Sequence, residues 1–133
     1  MRTRNKFLLT AVGVAAVCTA SFAGVALAAD PTDTVTAPYA QAAVSVNKAE
    51  TVTHKTATVE SVTKASEGRY CVKLSSHIAA FRSVPVATLD FSANLKSEIF
   101  VQPGSANCPA NSVLVLTGTD GTAKFQPFHL GLP

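Results

Sequence analysis

From residue 43 onward the chain consists of short β-branched and aromatic runs broken by Gly, Pro, Asn and Asp. No segment holds a helical apolar period for about three turns. A chain built this way cannot bury its apolar residues on helices. It must lay them on one face of several short strands and close those strands on each other. The pattern therefore predicts an all-β domain, a small antiparallel β-sandwich or barrel of about six or seven strands.

The strands are readable in turn. Ala43-Val44-Ser45-Val46-Asn47 alternates and opens the sheet. Thr56 to Thr63 is strongly β-branched, and its parity slips between Val59 and Val62, the mark of a bulge. After the turn at Ser66-Glu67-Gly68, Tyr70, Val72 and Leu74 share one face of a strand, with Arg69, Cys71 and Lys73 on the other, wetter one. Ser76 to Arg82 reads as a helical turn or a loop. Val84 to Phe91 is a strand held to an edge or a first position by Pro85. Ile99-Phe100-Val101 is a further strand, and residues 103–109 form a loop. Val113-Leu114-Val115-Leu116-Thr117 is apolar on both faces, as a central strand is. Asp120-Gly121 marks a hairpin whose return strand runs from Ala123 to Leu132, interrupted at Pro127. The expected core is Val59, Tyr70, Val72, Leu74, Val86, Val113, Val115, Phe125 and Phe128.

The first 28 residues have a different logic. Arg2, Arg4 and Lys6 precede an uncharged run from Phe7 to Ala28 that ends in Ala26-Leu27-Ala28. This is the layout of a signal peptide cleaved between Ala28 and Ala29. The run is long enough to serve instead as an uncleaved anchor, but Gly13, Gly24 and the alanine-rich end favour cleavage. Arg2 and Arg4 are not adjacent, so they make no twin-arginine signal. Cys18 follows Ala15-Ala16-Val17, a poor lipobox, and reads as apolar filler. The expected organisation is a signal peptide over 1–28, a flexible lead-in over 29–42 and a β domain over 43–133, secreted to the extracellular side.

Removal of the leader takes away three cations and no acid. Eight basic and eight acidic side chains remain, so the net charge of +3 belongs wholly to the leader. The exported part has no basic footprint for nucleic acid, and no membrane partner is expected after cleavage. It keeps two cysteines, Cys71 and Cys108, which in an exported domain of this size pair as a disulfide. The alternating pattern puts that bridge on the sheet exterior.

Four elements occur in a fixed order: Gly68 to Leu74 with its G-x-Y-x-V core, Ala87-Thr88-Leu89, Val113 to Thr117, and Phe128-His129-Leu130. In this order they resemble the small secreted domains of unknown function in actinobacterial exported proteins, over about residues 56–132. The resemblance implies a β domain outside the cell and brings no catalytic residue. Those domains often end in a cysteine after F-H-L-x-V, whereas this chain ends Gly131-Leu132-Pro133, so the resemblance carries no cysteine pairing.

Chemistry-bearing constellations are thin. His54, His77 and His129 are too widely spaced for a zinc motif. Glu60, Glu67, Asp90 and Glu98 are scattered, and an aromatic cleft for sugars is limited to Tyr39, Tyr70 and the phenylalanines. Asp120-Gly121 lacks the further oxygen ligands of a calcium loop. A Ser-His-Asp set can be assembled from the inventory, but no nucleophile-elbow sequence supports one. The sequence thus predicts no catalytic residue, no metal and no cofactor. It predicts a non-catalytic extracellular module that binds another protein or the cell envelope, with the 103–111 loop tied at Cys108 as contact. The alternatives are a protease inhibitor presenting residues 103–111 or 76–85, and a small hydrolase working through one of the three histidines.

Overall fold

The computed structural model describes Val25–Ala26 and residues 37–133. The basic start of the leader, the Ala28/Ala29 junction and residues 29–36 of the lead-in lie outside the described residues.

The elements in chain order are β1 (Val25–Ala26), β2 (Ala42–Val46), β3 (Val52–Lys55), β4 (Val59–Ser66), β5 (Arg69–Leu74), a 3-10 turn (Ala80–Arg82), β6 (Val86–Leu89), β7 (Ser97–Pro103), β8 (Ser112–Thr119), β9 (Thr122–Ala123) and β10 (Phe128–Leu132). They form two antiparallel sheets. The larger runs β1-β4-β5-β8-β7, with β9 on β8; the smaller runs β3-β2-β10-β6. Inward side chains of both sheets meet in one core: Val44, Val46, Phe128, Leu130 and Leu132 from the smaller, and Val59, Val62, Tyr70, Val72, Leu74, Val113 and Val115 from the larger. This is a β-sandwich. Tyr70 sits at its centre, edge-on to Phe125 at 5.3 Å and tilted against Phe128 at 5.8 Å between ring centroids.

The alternation read in β5 holds, with Tyr70, Val72 and Leu74 all buried. The bulge lies where the parity slips. Val59 pairs with Leu74 and Ser61 with Lys73, leaving Glu60 as the extra residue, so that Val59 and Val62 both reach the core. At the β8–β9 hairpin, Asp120 and Gly121 both take positive φ, 51° and 76°. That is the conformation whose twist suits a two-residue connection.

Several expectations are corrected. From β2 to β10 the described residues hold nine strands, several of them very short, where six or seven were expected. The expected strand over 56–63 begins only at Val59 and runs on to Ser66, because Thr56-Ala57-Thr58 turns the chain. Thr56 Oγ1 accepts a hydrogen bond from the Ala43 amide at 3.0 Å, and Thr58 Oγ1 donates to the Gln41 carbonyl at 2.6 Å. These hydroxyls replace ladder partners and offer the backbone an alternative to extension. The expected return strand is divided. Lys124 is drawn to Thr117 through both its amide and its carbonyl, and Pro127 cannot donate to a ladder. The chain leaves β8 after Ala123 and enters the other sheet at Phe128. Val86, expected in the core, is 57% exposed, and Phe125 is only partly buried.

Cys71 and Cys108 are bonded, with Cα atoms 5.5 Å apart. The bridge is on the outer face of the larger sheet, away from the main core, but that face is not wet here. Cys71, Cys108 and Leu114 are buried together and Leu116 packs against them, a second small core roofed by the 103–111 loop. This accounts for β8 being apolar on both sides.

Candidate functional site

The smaller sheet turns its other face outward. On β2 and β10 the buried residues alternate with Ser45 and His129, and cross-strand register lines up His54, Ser45, His129 and Thr88 across four strands. His129 Nδ1 lies 2.8 Å from Ser45 Oγ, and Nε2 lies 3.0 Å from Asp90 Oδ2. Asp90, a carboxylate, can only accept, so the Nε2–H donates to it, and Nδ1 and the Ser45 hydroxyl share the second hydrogen bond. Hydrogen bonds from the Ser92 hydroxyl and amide, followed by the one from His129, hold the Asp90 carboxyl below the ordinary carboxylate range.

These are the residue types of a hydrolase triad in one chain of hydrogen bonds. The setting differs in what surrounds the hydroxyl. Ser45 lies mid-strand between β3 and β10, where ladder pairing takes up the amide donors that an oxyanion hole requires. The two hydrogen bonds fix the imidazole ring on the sheet surface.

Beside His129 lies a groove of about 380 Å³, lined among others by Tyr39, Val86, Thr88, Gly131 and Pro133. Tyr39 stands at its rim, 95% exposed, on a turn closed by the Ala40 amide bonding the Ala37 carbonyl at 3.0 Å.

Contiguous with this face through Asp90 is the β6–β7 loop. Its tip carries Phe91 and Leu95, both essentially fully exposed. The loop is nevertheless well tied. The Ala93 amide bonds the Asp90 carbonyl at 2.9 Å, and the Ser97 amide bonds the Asn94 carbonyl at 3.3 Å, making two successive turns. The buried Gln126 reaches in from below, accepting from the Asn94 amide at 3.0 Å while donating to Thr119 Oγ1 at 2.9 Å. Large apolar side chains on a hydrogen-bonded loop lose little freedom on binding, which favours association.

The other residues singled out from sequence are not brought together. His54 and His77 are exposed, and His129 is the histidine of the Asp90–Ser45 chain. Glu60 pairs with Lys73, Glu67 with Lys64, and Glu98 accepts from the Gly121 amide at the hairpin. Among the described residues no group of three His, Cys, Asp or Glu is placed to hold a metal, and no helix is long and apolar enough to cross a membrane. The 103–111 loop is built of small residues, with Ser105 and Cys108 buried, and offers no large apolar anchor. Sequence reasoning missed Ser45 as a partner of His129, and it missed the Phe91–Leu95 tip, of which only Phe91 was read at all, as the end of the 84–91 strand.

Fold and surface together define a disulfide-tied β-sandwich with one rigid apolar loop and one aromatic-rimmed groove. No family model, curated protein or solved structure matches the chain.

Proposed function

We propose that this protein is a non-catalytic module, exported after cleavage between Ala28 and Ala29, that acts outside the cell by binding another protein through the 90–96 loop. The observation that carries the reading is the pairing of full exposure with fixation: Phe91 and Leu95 face solvent while the backbone beneath them is bonded to Asp90 and to the buried Gln126. An exposed aromatic anchor on a rigid support is the usual form of an interface hot spot. The disulfide suits an oxidising compartment, and the order of strand motifs resembles that of secreted actinobacterial domains. The contact thereby moves from the 103–111 loop to the 90–96 loop. The inhibitor reading has less support, because its two segments fold back on themselves: 76–85 through the 3-10 turn Ala80–Arg82, and 103–111 through the Cys108 amide bonded to the Ser105 carbonyl.

A photo-crosslinking side chain placed at position 91, applied to the surface of producing cells, tests this. A discrete protein adduct from position 91 that is absent from position 106 is the expected result. Absence of any adduct from position 91 overturns the reading.

A further inference from the structure

We infer that the outer edge of β4 is a strand-pairing site, and that in the exported protein it joins two copies of this chain. The contact depends on cleavage between Ala28 and Ala29, as proposed. In the full chain that edge is occupied. Val25–Ala26, the strand β1, lies antiparallel on β4, with Val25 opposite Lys64 and Ala26 opposite Thr63. Both residues precede the cleavage point, so the strand they form leaves with the leader. β4 then becomes the last strand of the larger sheet. It is eight residues long, and an uncovered edge of that length presents a row of amide and carbonyl groups ready to pair with another chain.

The pairing geometry fits a second copy. β1 already shows that the edge takes an antiparallel strand. A two-fold axis sets the β4 of one copy antiparallel to the β4 of another, each serving as the other's added strand. The charges permit this approach. Glu60 is paired with Lys73 at 2.9 Å, and Lys64 with Glu50 and Glu67 at 3.0 and 2.9 Å. Each ionised side chain of β4 is thus neutralised within its own chain. Ser61, Thr63 and Ser66 bring only hydroxyls, so two copies meet without like-charge repulsion. A lysine on an edge usually deters pairing, but Lys64 is held by its two carboxylates, and β1 pairs directly opposite it. The other terminal strands are less open. β6 and β7 lie against each other, and β3 has only four residues. Register shifts after Val59 and after Lys64 confine a regular ladder to residues 61–64, so the contact is short and the dimer weak.

The test uses the protein recovered from producing cells, and its intact mass is read first. A mass that retains the leader overturns the cleavage reading, and the dimer of the exported protein with it. For protein of the cleaved mass, sedimentation over a wide range of concentration should show monomer passing to dimer. Amide exchange within residues 61–64 should slow as the dimer fills. The double change Ser61→Lys and Thr63→Lys sets like charges against each other along the four-residue ladder. It should weaken the dimer at least tenfold in protein whose cooperative thermal unfolding shows it to be folded. Phe91→Ser should dimerise normally, because the edge is separate from the 90–96 loop. Cleaved protein that stays monomeric into the millimolar range overturns the dimer alone and leaves the cleavage reading intact. A dimer that the folded double variant forms undiminished is built on another surface, and overturns the proposal as well.

Discussion

Asp90 and His129 stand 39 positions apart in sequence, yet Oδ2 of one meets Nε2 of the other at 3.0 Å. The contact links the β6–β7 loop to the middle of β10. The Asp90 carboxyl is held below its ordinary value, first by Ser92 and then by His129. A depressed carboxylate stabilises the fold above its unfolded pKa, and that stability is lost as pH falls through the lower folded value. Denaturant midpoints taken from neutral pH down to about pH 2 should therefore decline on the acid side. Asp90→Asn should flatten part of that decline, and Ser92→Ala, which removes the hydroxyl bond and keeps the amide bond, should flatten a smaller part.

The Ser45–His129–Asp90 chain also makes the non-catalytic reading testable. A serine nucleophile needs a base and also a pair of donors for the developing oxyanion, and mid-strand amides are already engaged. A fluorophosphonate probe at large excess should leave the intact mass of the protein unchanged. A stoichiometric adduct mapped to Ser45 would reverse the reading and make this face an active site.

The Cys71–Cys108 bridge closes a span of 37 residues. Chain-entropy arithmetic for such a loop gives about 4 kcal/mol, a large part of the roughly 5–15 kcal/mol of a small domain. The reduced domain also opens the second small core around Leu114. Thermal unfolding with and without reductant should differ by roughly 15–30 °C. A shift of only a few degrees would mean that the outer cluster holds the 103–111 loop without the bond.

The legible parts of this fold were those governed by local period. The alternation of β5, the slip at Glu60 and the Asp-Gly hairpin each depend on neighbours within a few residues. Thr56 to Thr58 misled because β-branched composition favours a strand, whereas their hydroxyls are spent on Gln41 and Ala43. The passage from β9 to β10 depends on Thr117 holding Lys124, a tertiary bond with no local signature. The candidate surface was hidden for the same reason. His129 acquires partners only through the register of β10 against β2 and the reach of the β6–β7 loop, and Phe91 and Leu95 differ from core residues only in where the loop puts them.

Tyr70 makes the alkaline limb informative. Its ring is buried, and burial first, then the charges of Glu50 and Glu67, push the phenol well above its ordinary value of 10.0. Lys64, bonded to Glu67 and Glu50, is likewise raised. Groups raised in the folded state give stability that is complete below their unfolded pKa and lost above it. Unfolding should therefore set in above about pH 10. Tyr70→Phe should flatten that limb, at a cost near neutrality of about 1 kcal/mol for the lost bond to Glu50. Stability curves that coincide for both proteins at high pH would show that Tyr70 does not control the limb.

Gln126 is where the fold and the proposed contact are joined. Its side chain is buried, with its oxygen on the Asn94 amide and its nitrogen on Thr119. Gln126→Ala removes both bonds and leaves a void beneath the loop, at an expected cost of about 2 kcal/mol. If preorganisation is what the loop contributes, the effect on binding should exceed the effect on folding. Amide exchange at Asn94 and its neighbours should accelerate at temperatures where the β5 and β8 amides stay protected. The crosslinking yield at position 91 should fall severalfold in protein that is fully folded. Unchanged yield alongside faster exchange would mean that Phe91 engages its partner from a mobile loop, and that rigidity serves only the sandwich.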